Sequence, residues 1–429
     1  MAGIQIKDNI QTSKVTKHDL NNGLRVVFEK VDFFETISLG LWINTGSKDE
    51  DLNEHGFAHL IEHMLFKGTK SRDAIDIAKE IDRIGGYLNA FTTREYTCFY
   101  VNLVAKYYDV GLNLLSDMLI NSKFDKRELE KEKQVVLEEI RMYEDAPDQL
   151  VHDLFIEDLW KGHAIGRPIM GSLESISNVT KKNLLNFFDK NYHSEKIVIS
   201  VTGNFDEDKI IAILEKIKFP HKEKNNKIIP EVKMNFGKGY SKKTVEQIYS
   251  CWGFKGIPNY DPNRYRLFVF STLFGGGTSS RLYQEIREKY GLCYAIYTFN
   301  SSFLTNGVFG IFSVTNPKNF SQLIGSIRKQ MKKIMKSGVT DEELHIAKEQ
   351  IKGNIIFSKE SLEARMNRNA KNEMIFGRNI SYLEAIENIE KVTVNDIKEI
   401  ASYLFESGNN AFYAVGPQGY EEILNEIKI

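Results

Sequence analysis

The sequence predicts an α+β protein built as two homologous domains, each a mainly antiparallel sheet packed with helices. Three observations point there. The first is an internal repeat. Leu65-Phe66-Lys67-Gly68-Thr69 resembles Leu273-Phe274-Gly275-Gly276-Gly277-Thr278 at an offset of 208, and Glu128-Leu129 with Lys133 matches Glu343-Leu344 with Lys348 at 215. Val179-Thr180 followed by Gly203 matches Val392-Thr393 followed by Gly416 at 213. Three anchors in one order with nearly constant offset are what a duplicated domain leaves behind. The second is a polar, charged stretch over 219–235, carrying Pro220 and Pro230 near the midpoint of the 429 residues. The expected division is therefore 1–218, a linker over 219–235, and 236–429. The third is that strand and helix patterns mix without regular alternation, and hairpin-like strand pairs intervene, which disfavours a doubly wound parallel sheet.

Taken in order, the segments 24–29, 38–44, 97–103 and 197–202 are enriched in β-branched and aromatic residues with partial alternation, and read as strands. Segments 74–84, 125–143 and 206–216 place apolar residues at three-and-four spacing, and read as helices. In the second half, 279–289 reads as a helix closed by Gly291, with a strand from 292 onward.

Composition narrows the function classes. With 42% hydrophobic residues the chain can bury large cores. The balance of 57 basic against 58 acidic residues gives no electrostatic reason to bind nucleic acid or an anionic membrane. Cys98, Cys251 and Cys293 are scattered, which disfavours a disulfide framework or a thiolate zinc site. The polar start lacks a signal-peptide core, and no run approaches the ~20 apolar residues of a membrane span. The expectation is a soluble cytoplasmic protein without nucleic-acid or membrane partners.

The chemistry concentrates in His55-Gly56-Phe57-Ala58-His59-Leu60-Ile61-Glu62-His63-Met64-Leu65-Phe66. Into an apolar helix come His59, Glu62 and His63, at i, i+3 and i+4 on one face, so that two imidazoles can approach one cation beside a carboxylate. This is the H-x-x-E-H order, the reverse of the commoner H-E-x-x-H. Alone, it also suits two core histidines bonded to carbonyls with a Glu at the margin. An unpaired carboxylate in such a helix costs several kcal/mol, roughly, or must stay protonated, and a metal removes that cost. A third ligand is needed. In the acidic helix, Leu129, Val136 and Tyr143 define an inward stripe with Val135, Ile140 and Met142 beside it. Glu132 and Glu139 fall in or beside this stripe, whereas Glu130, Lys131, Lys133 and Glu138 can point to water. Both acids could equally edge the stripe, solvated.

His59-Leu60-Ile61-Glu62-His63 followed 76 positions later by Glu139, in an E-x-x-V-V-x-E-E context, resembles the signature of the pitrilysin/insulinase family of inverted-motif zinc peptidases. Gly40-Leu41-Trp42-Ile43-Asn44-Thr45-Gly46-Ser47, Gly86-Tyr87-Leu88-Asn89-Ala90-Phe91-Thr92 and His163-Ala164-Ile165-Gly166-Arg167 resemble its processing-peptidase branch. The resemblance implies a zinc endopeptidase acting on peptides or unfolded, presequence-like segments, with one zinc per chain. It makes His59, His63 and Glu139 the ligands, Glu62 the general base, and Glu132 a supporting acid. It also places Asn89 and Ala90 on a strand whose edge pairs with extended substrate; by itself Asn89 could be a turn residue after Gly85-Gly86.

The repeat is an internal control. His59, Glu62 and His63 correspond to Leu267, Phe270 and Ser271, and Glu132 and Glu139 to Ala347 and Asn354, so the fold does not demand the metal residues. The second half offers Arg287 and Tyr294. By spacing alone these are a helix-end cation and a sheet aromatic; the resemblance makes them a pair that contacts the substrate backbone and the tetrahedral intermediate. It further implies four domains around one site, hence for this chain a homodimer with composite sites. Gly275-Gly276-Gly277 resembles the glycine-rich loop of noncatalytic processing-peptidase subunits. The alternative function is a non-catalytic peptide-binding or structural core subunit of the same fold.

Overall fold

The computed structural model describes residues 13–222, 232–406 and 408–427. It forms two compact units, one of Met1–Arg141, Arg167–Ile228 and Phe357–Ser381, the other of Met142–Gly166, Ile229–Ile356 and Tyr382–Ile429. Each unit draws most of its residues from one half of the chain and one segment from the other. Most of 219–235 lies outside the described residues.

The first unit carries a six-stranded sheet of order β1-β2-β6-β3-β5-β4, made of β1 (Val15–Asp19), β2 (Arg25–Lys30), β3 (Thr36–Ile43), β4 (Tyr87–Thr92), β5 (Thr97–Val104) and β6 (Ile197–Gly203). Only β2 and β6 run parallel. The second unit repeats that order without its first strand, as β7-β11-β8-β10-β9, made of β7 (Lys238–Lys242), β8 (Ile248–Lys255), β9 (Ala295–Ser302), β10 (Gly307–Thr315) and β11 (Asn410–Gly416). Again the one parallel pair joins the first and last strands, β7 and β11.

The helices of the first half are α1 (Phe57–Leu65), α2 (Ala74–Arg83), α3 (Tyr108–Asn121), α4 (Lys126–Glu144), α5 (Pro147–Leu159), α6 (Leu173–Ser177), α7 (Lys181–Asn191) and α8 (Glu207–Lys216). Those of the second are α9 (Arg264–Gly275), α10 (Phe320–Ser337), α11 (Asp341–Lys359), α12 (Leu362–Phe376), α13 (Tyr382–Glu390) and α14 (Val394–Phe405). No helix is long and apolar enough to cross a membrane, among the described residues.

Both sheets are covered on two faces, which is why their central strands read as near-continuous apolar runs. In β3, Ile37, Leu39, Leu41 and Ile43 enter the main core with α1, α3 and α4, while Trp42 faces the other way with Val27, Cys98, Tyr100 and Val198. That second face is closed by Met366 and Ala370 of α12. In the second unit, Phe309 and Ile311 of β10 enter the main core, and Val308, Phe312 and Val314 meet Val151 and Phe155 of α5. The exchanged helices thus occupy like places. α12 is also fixed by polar groups: Arg365 Nη1 donates to the buried Glu29 at 2.7 Å, as does Asn369 Nδ2, and Glu373 accepts from Lys17 Nζ at 2.8 Å.

The repeat anchors have structural roles. Thr180 and Thr393 each cap a helix, accepting from the N–H of Asn183 and Asp396. Lys133 Nζ donates to the Val179 carbonyl at 3.1 Å, and its counterpart Lys348 to the Glu390 carbonyl at 2.7 Å. Lys133 is therefore buried rather than facing water. The stripe of α4 also differs from expectation: Leu129, Glu132, Val136, Leu137 and Ile140 face inward, and Val135 and Met142 are exposed. A seven-residue spacing drifts on a straight helix of 3.6 residues per turn, so the true inner face follows threes and fours.

Candidate metal centre

α1 begins at Gly56, whose φ of +90° and close neighbours, the Met170 carbonyl and Gly171 Cα, leave no room for a side chain. A glycine brings no capping group of its own. Glu50 supplies it from six residues upstream: its Oε2 accepts from the Gly56 N–H at 2.9 Å and its Oε1 from the Ala58 N–H at 2.8 Å. Burial pushes the Glu50 carboxyl up to about 8, against the opposite pull of those N–H groups and of Arg167. Arg167 donates to the Glu50 and Asp51 carbonyls, and His55 Nε2 donates to the Pro168 carbonyl at 2.9 Å. Arg167, the last residue of the His163–Arg167 motif, thus braces the entry to α1.

Past this entry, α1 buries Phe57, Ala58, Leu60, Ile61, Met64 and Leu65 and presents His59, Glu62 and His63 on its remaining face. The two imidazole rings lie 4.7 Å apart, inclined at 63°. Opposite, α4 brings Glu139 Oε2 to 3.9 Å from His59 Nε2 and 3.6 Å from His63 Nε2. One ligand atom from each residue lies within 4.8 Å of the others, and this is the one cluster of its kind among the described residues. The separations exceed hydrogen-bond length and approach the edges of a tetrahedron with bonds of about 2.0–2.1 Å. His59 Nδ1 is buried with no hydrogen-bond partner. Burial, helped by His63, holds His59 down to about 3, so it stays neutral with a lone pair to give. These donors fit a zinc ion.

The neighbours of the ligands have distinct tasks. Glu132, buried, sets its Oε2 at 3.1 Å from His63 Nδ1, leaving Nε2 for the cluster, and its Oε1 takes Lys67 Nζ at 2.8 Å. Glu62 accepts a short hydrogen bond from Thr92 Oγ1, at the end of β4. Burial raises its pKa, and the Thr92 bond and His63 oppose the rise. A carboxylate held this way is a better proton acceptor than a solvated one.

Asn89 and Ala90 lie in β4, the edge strand, which pairs only with β5 among the described residues. Asn89 is therefore a strand residue; its Oδ1 accepts from the Ala90 N–H at 2.8 Å. Arg287 and Tyr294 belong to the second unit. The expected helix over 279–289 is instead wound as a π-helix at Tyr283–Glu288, with Gly291 in the left-handed region (φ +60°). Arg287 stacks over the Tyr283 ring at 4.7 Å and donates to its hydroxyl. Tyr294 precedes β9 rather than lying in it, and is 74% exposed. Gly275 ends α9 rather than lying in a loop, and a Cβ there would run into Thr298.

Sequence reasoning missed Glu50, Lys67 and Thr92. Glu50 carried a readable signal, an acid just upstream of a glycine-led helix with no cap; the partners of Thr92 and Lys67 come from other elements, which no local pattern records.

Known proteins resemble this chain over most of its length. The profile of the insulinase family (peptidase family M16) matches residues 25–173, and that of the peptidase M16 inactive domain matches 178–351. A Bacillus subtilis protein named uncharacterized zinc protease YmxG is 37% identical over 407 residues, spanning 94% of this chain and 99% of the relative. A Rickettsia felis uncharacterized zinc protease is 35% identical over 403 residues, 94% and 96% of the two chains. Among solved structures, a Helicobacter pylori protease superposes with a TM-score of 0.88 at 23% identity, over 94% of this chain and all of its own. An M16 inactive domain from Pseudomonas fluorescens gives 0.87 at 21%, over 94% and 98%. At these identities the two structures speak to the fold.

Proposed function

The chain belongs to the insulinase family, peptidase family M16, and from that premise we propose that it is a zinc-dependent endopeptidase of the processing-peptidase type, cleaving unfolded or presequence-like segments. The observation that carries the reading is the convergence of His59 Nε2, His63 Nε2 and Glu139 Oε2. Zinc held by these three atoms would supply a Lewis acid that polarises the scissile carbonyl and brings a water's pKa toward neutrality. Glu62, one oxygen held by Thr92, would take a water proton at its other oxygen and pass it to the leaving amine. Glu132 holds the His63 ring. The open edge of β4 at Asn89 and Ala90 accepts the substrate as an added strand, so recognition runs through main-chain bonds that are indifferent to sequence. To do so the substrate displaces Asn89 Oδ1 from the Ala90 N–H. Arg287 clamps a substrate carbonyl and the exposed Tyr294 phenol donates to the developing oxyanion.

The test is zinc content together with cleavage of a quenched, unstructured peptide. One zinc per chain and activity abolished by Glu62→Gln are expected; one zinc without Glu62-dependent cleavage would instead assign the peptide-binding role. The chain acts as a homodimer in the cytoplasm, each site completed by the Arg/Tyr pair of the partner copy. Mixing Glu62→Gln chains with Arg287→Ala chains then restores part of the activity, and its absence in verified mixed dimers overturns the shared site.

A further inference from the structure

We propose that Lys67 is a positioning residue of the metal centre: through Glu132 it fixes the His63 ring and so aims the nitrogen offered to the metal. The inference rests on the reading of His59, His63 and Glu139 as ligands. Lys67 stands four residues after His63, in the turn that closes α1, where its N–H donates to the Met64 carbonyl at 3.1 Å. Four residues on a helix bring side chains to one face, so a single carboxylate from α4 can bridge the two. Glu132 does: one oxygen lies 3.1 Å from His63 Nδ1 and the other 2.8 Å from Lys67 Nζ.

The burial of the partners says what Lys67 is for. The Glu132 side chain is 6% exposed, whereas Lys67 retains 30%. A carboxylate that deep needs a partner for each oxygen, and without Lys67 it turns toward water. That turn frees His63 Nδ1 and lets the ring rotate. Among the described residues, Lys67 is the one lysine or arginine at ion-pair distance from Glu132. The cluster holds three carboxylates, Glu62, Glu132 and Glu139, so Lys67 and a divalent ion together leave it neutral.

The repeat separates this role from one in folding. At the offsets that align the halves, Lys67 falls on Gly275 and Glu132 on Ala347, so both members of the pair disappear where the ligands disappear. The neighbouring Lys133, which bonds the Val179 carbonyl, is kept as Lys348, which also bonds a backbone carbonyl, that of Glu390. The lysine that serves the fold is duplicated, and the lysine that serves the metal site is not.

The experiment measures zinc affinity of the full-length chain by chelator competition for the wild type, Lys67→Met and Lys67→Arg, alongside the melting of the metal-free proteins and the visible spectrum of the cobalt-substituted ones. A loss that travels through an outer partner of a ligand is ~10-fold in affinity. Lys67→Met is expected to bind zinc ~10-fold more weakly with metal-free melting little changed and an altered cobalt spectrum, and Lys67→Arg to recover most of the affinity. In a Glu132→Gln background, Lys67→Met should add no further loss. Unchanged or tighter zinc binding by Lys67→Met, a loss that merely follows lower metal-free stability, or additive losses with Glu132→Gln would each overturn the proposal. A wild type that binds no zinc would overturn the ligand reading itself.

Discussion

α1 and α9 stand in the same place relative to two sheets of the same strand order, yet they bury opposite chemistry. α1 sets His59, Glu62 and His63 toward α4, where Glu132 and Glu139 wait. α9 sets Leu267, Phe270 and Ser271 at the aligned positions, all buried, and Ala347 of α11 is buried where Glu132 would be. Ser271 finds a neutral partner, donating to Thr298 Oγ1 at 3.0 Å. The second unit shows what this fold prefers when no metal is asked of it: apolar packing with satisfied hydroxyls. The first unit shows what the proposed metal site asks of the fold: carboxylates set among apolar neighbours, Glu62 held by Thr92 and Glu132 by Lys67.

The comparison is broken most severely by making the first unit like the second. His59→Leu, Glu62→Phe and His63→Ser together should remove zinc binding and all cleavage while leaving the circular dichroism and sheet core intact; loss of the fold would mean the ligands also hold the structure. Glu139→Gln and Glu132→Gln come next and should differ. The first removes a ligand and is expected to lower zinc affinity by more than ~100-fold, the second only ~10- to 100-fold, both read by chelator competition. Equal losses would make Glu132 a ligand.

Glu50 gives a test by pH. Its carboxyl is raised from 4.5 to about 8 in the fold, so the stability it contributes is complete below about 4.5 and is lost as pH rises through about 8. In urea unfolding of the metal-free protein, Glu50→Gln should narrow this decline by on the order of 2–4 kcal/mol between pH 4.5 and 8.5. A parallel pH dependence in the two proteins would show that Glu50 does not titrate in that window. The smallest effect sharpens the likeness of the units rather than their difference. Thr180→Ala and Thr393→Ala should each cost about 1 kcal/mol, and by similar amounts, because each removes the same cap from equivalent helices.

How far the sequence foretold this depends on whether an element carries its own signal. α2, α4, α8 and the strands β2, β3, β5 and β6 fall within two residues of expectation because their periodicity is local. His59, Glu62 and His63 were legible because helical spacing alone puts them on one face, and the inner stripe of α4 was readable except for its drift. What escaped left no local pattern of its own. The Tyr283–Glu288 π-helix comes from an extra residue in a turn whose composition is ordinary for a helix, with Lys289 N–H reaching back to the Gln284 carbonyl. The exchange of α5 and α12 was hidden for the same reason, since an apolar face records that a helix is buried and not which sheet buries it.

That exchange has a consequence for how the protein is made. During synthesis His59, His63 and Glu139 precede α12 at Leu362–Phe376, which closes the back of the sheet over Trp42 and Tyr100. Domains mature as packed units during synthesis. The order of translation therefore leaves that face of the sheet uncovered until α12 follows, and a product cut short before α12 carries His59, His63 and Glu139 on a half-covered sheet.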